Sequence, residues 1–365
     1  MAGWRIGIAG AGLLGRLLAW RLSQWHSVSQ VTLFDPAVDA QARGAAGWTA
    51  AGMLSPLAEL ACGDTALAAL GLRSLSLWER TVAELPEPVH FSRAGSLLLA
   101  HRPDLGAAQR LLSVITAKAP AGHAPEALDA KSLRTLEPEL HGGAHAWLLR
   151  GEGQIHTVQA MAALAQGASR AGAAWRWGHT VQALAPGRID GEGFDWVFDV
   201  RGLGGRAAPP MADLRGVRGE IVWLHAPGLA LQRPLRLLHP RAPVYIVPRP
   251  GEVVVVGASE IESEDRSPIS VRTLLNLLSA AHSVLPALAE ARVVHTDTNL
   301  RPALPDNLPR LAQQPGLTRI NGLFRHGWLI APALVEDALQ YMAQAMGGNE
   351  TTACNDPEEI AHAAG

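Results

Sequence analysis

Cysteine is nearly absent from this chain: Cys62 and Cys354 are the only two in 365 residues. They stand far apart and without metal-ligand spacing, so neither a disulfide framework nor a metal site is expected, and a reducing compartment fits. Lysine is as scarce, with Lys118 and Lys131 alone against abundant arginine, a bias read as genome composition rather than function. Tyrosine also occurs only twice, as Tyr245 and Tyr341. No run of like charge interrupts the sequence and the formal net charge is -2, so nothing electrostatic points to nucleic acid or an anionic membrane. A small-molecule partner is expected instead. No apolar stretch reaches membrane-spanning length. The N-terminus runs straight into an apolar strand, leaving no room for a charged region, an apolar region and a cleavage site, so a cytoplasmic protein is expected.

What is present is apolar and rich in small residues: 48% of the chain is hydrophobic and 37 residues are glycine, enough for a full core and, by length, about two domains. The opening run Ile6-Gly7-Ile8-Ala9-Gly10-Ala11-Gly12-Leu13-Leu14-Gly15 has the form of a strand, a glycine turn and a helix start. Asp35 closes the next apolar run, Val31-Thr32-Leu33-Phe34. The spacing has a physical reason. Gly10 permits the sharp turn, Gly12 lets the backbone approach a pyrophosphate, and Gly15 lets the helix pack close to the strand, so that free N–H groups and the helix dipole face the phosphates. Asp35 then accepts from a ribose hydroxyl. In this context the motif is a dinucleotide fingerprint, which leaves open whether the ligand is NAD or FAD.

Further along, a small-residue segment from Gly44 to Leu54 cannot build a core alone and must pack against something else. A helix is expected from about Thr65 to Leu85, stopped by Pro86 and Pro88. A strand is expected at Gly95–Ala100, helices and loops over 104–140, and a long helix over Val158–Ala171. Short strands follow around Val181 and over Trp196–Val200, the latter ending in a second glycine turn at Gly202. From 216 the pattern becomes strands separated by Pro/Gly turns, Gly219–Leu224, Val244–Arg249 and Glu252–Gly257, as in an antiparallel sheet. A helix over Val271–Leu285 follows, then Asn299-Leu300-Arg301-Pro302 read as a loop, a strand at Leu317–Asn321, and a last helix from Leu329 to Met346. The tail from Gly347 is polar and is expected to fray. A nucleotide-binding domain made of the first and last segments, interrupted by an antiparallel sheet, departs from the usual dehydrogenase plan, in which the substrate domain is one C-terminal block.

At these residues the chain resembles the FAD-dependent amino acid oxidases of the D-amino acid oxidase superfamily, and most closely the glycine oxidase branch linked to thiamine biosynthesis. The resemblance runs from Ile6 to about Met346. It rests on Ala50-Ala51-Gly52-Met53-Leu54, Gly219-Glu220, Tyr245-Ile246-Val247-Pro248-Arg249, Gly257-Ala258-Ser259, Leu300-Arg301-Pro302 with Asp306 and Pro309, and Arg325-His326-Gly327 with Ala331-Pro332. It implies an α/β fold: an FAD-binding Rossmann-like domain (1–84, 142–212, 293–346) with an interleaved α+β substrate domain built on an antiparallel sheet (85–141, 213–292). The cofactor implied is non-covalent FAD, since no cysteine stands beside Leu300-Arg301. Gly10, Gly12, Leu13, Leu14, Gly15 and Asp35 would hold its ADP half, and Trp48, Thr49, Ala50, Ala51, Gly52 and Met53 would run along pyrophosphate and flavin. Val181 would meet the adenine and Gly202 the pyrophosphate. Gly327, Trp328 and Leu329, opening the last helix, would aim N–H groups at the flavin edge where negative charge collects on reduction, a role that helix-end physics supports independently.

For the substrate, Arg301 and Tyr245 match the family's carboxylate grip: a guanidinium offers a bidentate fork and a phenol one further hydrogen bond. Arg325 would grip from the other side or support the flavin beside His326. These three are the candidate catalytic residues. His326 and His239, beside turns, read more simply as hydrogen-bonded histidines, and Glu260 as a solvated edge charge. The resemblance implies hydride transfer from the substrate Cα to flavin N5, reoxidation by dioxygen with release of hydrogen peroxide, and hydrolysis of the imine to a 2-oxo acid and ammonia. Related enzymes suggest a homo-oligomer. Thr298-Asn299 stand where the family often has a small pair, His326 replaces the usual asparagine, Trp328 is bulky, and Trp48 replaces a small polar residue. These departures leave glycine, sarcosine, D-amino acids, cyclic imino acids and larger secondary amines open as substrates. Two other readings stay open: a dehydrogenase passing electrons to a quinone or protein, and a flavin-binding or partner-modifying protein without catalysis.

Overall fold

The computed structural model describes residues 3–61, 65–140, 144–206, 211–238 and 244–347; Cys62, Cys354, His239 and the tail beyond Gly347 lie outside them. The fingerprint folds as strand, turn and helix: β1 (Trp4–Ala9), whose last four residues are buried, leads into α1 (Leu13–Leu22). β2 (Val28–Asp35) and β13 (Trp196–Asp199) flank β1 in parallel. β9 (Ala174–Trp177) and β20 (Leu317–Asn321) extend the parallel sheet, and the antiparallel β19 (Arg310–Gln314) completes the order β19-β20-β13-β1-β2-β9. The strand order departs from β1 to both sides, which opens a crevice at its carboxyl end. α6 (Thr157–Arg170) and α8 (Gly327–Ala345) pack against α1, and α3 (Thr65–Glu84) packs on α8.

The second layer is an eight-stranded sheet. Its strands are β5 (Ser96–His101), β6 (Glu126–Leu128), β7 (Ala144–Leu149), β14 (Arg215–His225), β15 (Leu235–Leu238), β16 (Val244–Arg249), β17 (Val253–Gly257) and β18 (Arg292–Ala303), in the order β18-β14-β17-β16-β15-β5-β7-β6. It is mixed rather than purely antiparallel: β15 and β5 run parallel, which the long chain between them permits. β7 and β18, grouped by sequence with the nucleotide-binding segments, hydrogen-bond into this sheet. Period-two alternation sorts its faces. Val222, Leu224, Val244, Ile246, Val254 and Val256 pack with Leu277, Ala281 and Val284 of α7 (Val271–Val284), while Ile221, Val247 and Val255 face the other way, with Tyr245, toward Ala51 and Met53. That second face is the one that meets the nucleotide-binding layer.

Two three-stranded sheets complete the chain: β3 (Met53–Leu54), β4 (Phe91–Ser92) and β8 (Gly153–Ile155), and β10 (Leu184–Ala185), β11 (Arg188–Ile189) and β12 (Glu192–Gly193). α2 (Pro56–Leu60) follows β3, and α4 (Leu105–Lys118) and α5 (Ala130–Leu136) lie between β5 and β7. Three expectations need correction. Val181 is in a coil, not a strand; the segment is held by Asp190, whose carboxylate accepts from the backbone of Gln182 and Ala183. The last helix begins at Gly327, two residues early. Asn299–Pro302 is not a loop but the end of β18, paired with β14 along its length. Pro302 is tolerated because β18 is the edge strand, where no ladder donor is missed.

Candidate active site

The turn after β1 is built for close approach. A Cβ on Gly15 would stand 1.8 Å from the Gly10 carbonyl oxygen, so only glycine lets α1 sit this near the strand, and Gly10 itself has φ +105°. The first helical bond of α1 runs from the Arg16 N–H to the Gly12 oxygen at 3.0 Å, leaving the preceding N–H groups without helical partners at the cavity edge. Asp35 braces the turn. Its Oδ2 accepts from the Ala11 N–H at 2.6 Å and its Oδ1 from the Ala37 N–H at 2.8 Å.

From this turn a cavity of about 830 Å³ runs between the two large sheets. Every residue the sequence singled out for the cofactor borders it except Gly15, which lies beneath the turn. Val181 stands with Asp35 and Trp177 at one end, its carbonyl accepting from Arg201 Nη1 at 3.2 Å. Gly202 opens a short 3-10 turn, its carbonyl accepting from Asn321 Nδ2 at 2.9 Å. The segment from Gly44 to Met53 forms the middle of the wall, and its backbone is held from several sides. The Thr157 hydroxyl donates to Ala50 O at 2.8 Å, the Ile155 N–H to Gly52 O at 2.9 Å, and the buried Arg249 guanidinium to Ala51 O. Asn299 Nδ2 reaches Ala45 O and Thr49 Oγ1, each at 3.2 Å. Of the small residues in this segment, Ala51 packs on the larger sheet, while Ala45 and Ala50 pack on the nucleotide-binding core.

At the other end stands the N-terminus of α8, capped by the backbone of His326, which is buried. The Trp328 indole stacks on Trp78 with ring centroids 5.4 Å apart and donates to Gly47 O at 3.0 Å. Trp48 likewise turns its ring into the core, under the Arg16 guanidinium.

Tyr245 and Arg301 reach the cavity from one face of the larger sheet. Tyr245 on β16 stands opposite Gly257, which stands opposite Ile221, and Arg301 lies further along that face on β18. Arg301 Nη1 donates to Arg218 O at 3.3 Å and Ser259 O at 3.1 Å. Its Nε and Nη2, and the Tyr245 hydroxyl, bond to no described residue. Burial pushes the Tyr245 phenol up, against the opposing charges of Arg301 and Arg249, so the hydroxyl stays a donor through the neutral range. Glu260 borders the cavity as an exposed side chain.

Arg325 is not free to act alone. Its Nη2 lies 3.4 Å from Glu59 Oε2, and His326 Nδ1 lies 3.2 Å from Glu59 Oε1. Burial opposes ionisation of Glu59, yet the His326 hydrogen bond and the charges of His326, Arg325 and Arg236 together hold its carboxyl below the usual value. Sequence reasoning missed Glu59 and Arg236. Glu59 had a signal: it is the only charged residue between Arg43 and Asp64. Arg236, directly opposite Tyr245 on β15, had none, because register decides where it points. No group of metal-ligating side chains exists among the described residues, and none of their helices is long and apolar enough to cross a membrane.

Comparison with known proteins converges on this arrangement. The family model described as DAO, FAD dependent oxidoreductase, matches residues 5–338. The protein of Rhizobium etli assigned as the thiamine biosynthesis oxidoreductase ThiO is 38% identical over 352 residues, covering 96% of this chain and 99% of that protein. Among solved structures, glycine oxidase from Geobacillus kaustophilus superimposes with a TM-score of 0.79 at 25% identity over 100% of both chains. Iminodiacetate oxidase from Chelativorans sp. BNC1 gives a TM-score of 0.75 at 26% identity, over 94% of this chain and 96% of that one.

Proposed function

Because the chain belongs to the FAD dependent oxidoreductase family, we propose that it oxidises a small amine bearing a carboxylate, glycine or a related secondary amine or D-amino acid, with dioxygen as electron acceptor. The products would be hydrogen peroxide and an imine that water hydrolyses to a 2-oxo acid, glyoxylate from glycine, and ammonia, or a primary amine where the substrate is a secondary amine. The cofactor fits the residues present. The closely packed turn at Gly10 and Gly15, the N–H groups of the first turn of α1 that bond to no described residue, and Asp35 would form a cradle for an ADP moiety, and the cavity continues from there to the N-terminus of α8.

FAD bound there would supply the redox chemistry, two-electron oxidation of the amine with dioxygen as final acceptor. The rest is the work of the chain. Gly10, Gly12, Leu13, Leu14 and Asp35 would hold the ADP half, Val181 and Gly202 would flank it, and Trp48 to Met53 would line its path to the flavin. The first N–H groups of α8, at Gly327, Trp328 and Leu329, would present the positive end of a helix to the ring edge. Arg301 Nε and Nη2 and the Tyr245 hydroxyl would grip the substrate carboxylate, fixing the Cα–H in place. Arg325 and His326, tied to Glu59, would close the far wall rather than bind substrate directly.

The observation that carries this reading is the pairing of unspent donors: Arg301 with two nitrogens and Tyr245 with a hydroxyl lacking described partners, on one sheet face, in the cavity that begins at the fingerprint. The relatives named above as glycine oxidase and iminodiacetate oxidase are consistent with a small carboxylated amine. Incubating the purified yellow protein with glycine, sarcosine and D-alanine in air and measuring peroxide and 2-oxo acid tests it. Equal amounts of both from at least one amine are expected; neither product from any amine would overturn it.

A further inference from the structure

Arg16, the residue after the third fingerprint glycine, is 2% exposed. Its Nε donates to Ala11 O at 2.8 Å, its Nη1 to Met161 O at 2.9 Å and its Nη2 to Ala40 O at 2.9 Å. The guanidinium lies 5.0 Å from the Trp48 ring centroid and 5.9 Å from that of Trp177. Arg16 and both tryptophans border the cavity at its fingerprint end. Three carbonyls satisfy three donors but supply dipoles, not a charge.

No carboxylate of a described residue comes within ion-pair distance of this cation. Arg218, almost as deeply buried, shows the usual solution: Glu220 stands 2.6 Å from it. Arg249 is also buried without a carboxylate partner among the described residues, yet it does not border the cavity. Burial pulls the Arg16 pKa down to about 10, with the charge of Asp35 opposing from a greater distance. A buried cation without a counter-ion is costly, and a chain that keeps one has a use for the charge. The same guanidinium holds the carbonyl oxygen of Ala11, the residue whose N–H is held by Asp35, so it is rigidly fixed to the turn that faces the phosphates.

We propose that Arg16 is the fixed positive charge that the cofactor's diphosphate compensates, adding a full charge to the partial charge of the α1 N-terminus. The proposal rests on the cofactor reading and adds to it a residue outside the fingerprint itself. The carbonyl bonds set where the charge stands; the charge sets the affinity for diphosphate over nucleoside.

The test uses full-length holoprotein and the variants Arg16→Met and Arg16→Lys, with folding checked by circular dichroism. FAD release on dilution is read by flavin fluorescence, and ADP and adenosine are then titrated as displacing ligands. In Arg16→Met the dissociation constants of FAD and ADP should rise at least tenfold while that of adenosine stays within twofold. Arg16→Lys, which keeps the charge and forfeits most of the carbonyl bonds, should recover most of the ADP affinity. If the methionine variant does not fold, Arg16→Gln against Arg16→Lys makes the same comparison. Equal losses for ADP and adenosine, unchanged ADP binding without the charge, or a lysine variant as weak as the neutral one would overturn the proposal. Wild-type protein that binds neither FAD nor ADP would instead contradict the cofactor reading beneath it.

Discussion

The guanidinium of Arg301 lies directly over the backbone of Gly219: a Cβ built at Gly219 would stand 2.5 Å from Arg301 Cζ. The two residues sit on the adjacent strands β18 and β14, where Gly219 pairs with Asn299 and Val217 with Arg301, so Gly219 clears the floor on which the guanidinium rests. Gly219→Ala is expected to lift the guanidinium off this floor. KM for the carboxylated amine should rise about tenfold or more, on the order of 1.4 kcal/mol, with flavin content unchanged. Steady-state kinetics against flavin absorbance checks this, and a KM within twofold of wild type would show that the position of Arg301 is not critical.

Removing the grip itself should cost more. Arg301→Ala truncates a charge-assisted contact, for which a loss of about 2–5 kcal/mol in kcat/KM is expected, carried mainly by KM. Tyr245→Phe removes one hydrogen bond to a charged group, about 1.5–3 kcal/mol. Both variants should purify with FAD bound, because neither residue touches the fingerprint turn. An unchanged KM in Arg301→Ala would contradict its assignment as the carboxylate ligand.

Glu59 links acid stability to the active site. Its folded-state pKa is held below the ordinary 4.5, so the stability it contributes is fully present above that ordinary value and is lost as the pH falls through the folded one. Thermal unfolding of wild type and Glu59→Gln should therefore differ at neutral pH, with wild type the more stable. The gap should close as the pH is lowered below 4.5. A gap of constant size across that range would mean that the ionised carboxylate does not stabilise the fold.

How much of this was legible in the sequence depended on whether an element's signal is local. β1, its glycine turn and Asp35 carry a local signal, with β2 pairing to β1 and Asp35 bracing the turn within about thirty residues, and could be read directly, as could the amphipathic α3 and α6. β18 could not: its exposed, polar first half shows no alternation, and only pairing with β14 makes it a strand. For the same reason Arg301 looked like a loop residue although its chemistry was recognisable. Val181 sits in a β-branched, apolar context, yet the Asp190 carboxylate takes the neighbouring N–H groups that a strand would have used. Trp328 and Trp48 border the cavity and at the same time pack into the core, Trp328 stacked on Trp78, a placement no one-dimensional pattern records. Arg236 and Arg16 acquire meaning only from what the fold sets around them, and Glu59, though isolated among uncharged residues in the sequence, acquires its partners there.

The most direct test of the central claim is an anaerobic titration of the purified protein with glycine, then sarcosine and D-amino acids, following the visible absorption of the flavin before and after air is admitted. The account predicts bleaching by at least one of these amines that air reverses quickly. Bleaching that persists in air would assign the electrons to another acceptor and contradict the oxidase reading, and a spectrum that no carboxylated amine changes would contradict amine oxidation altogether.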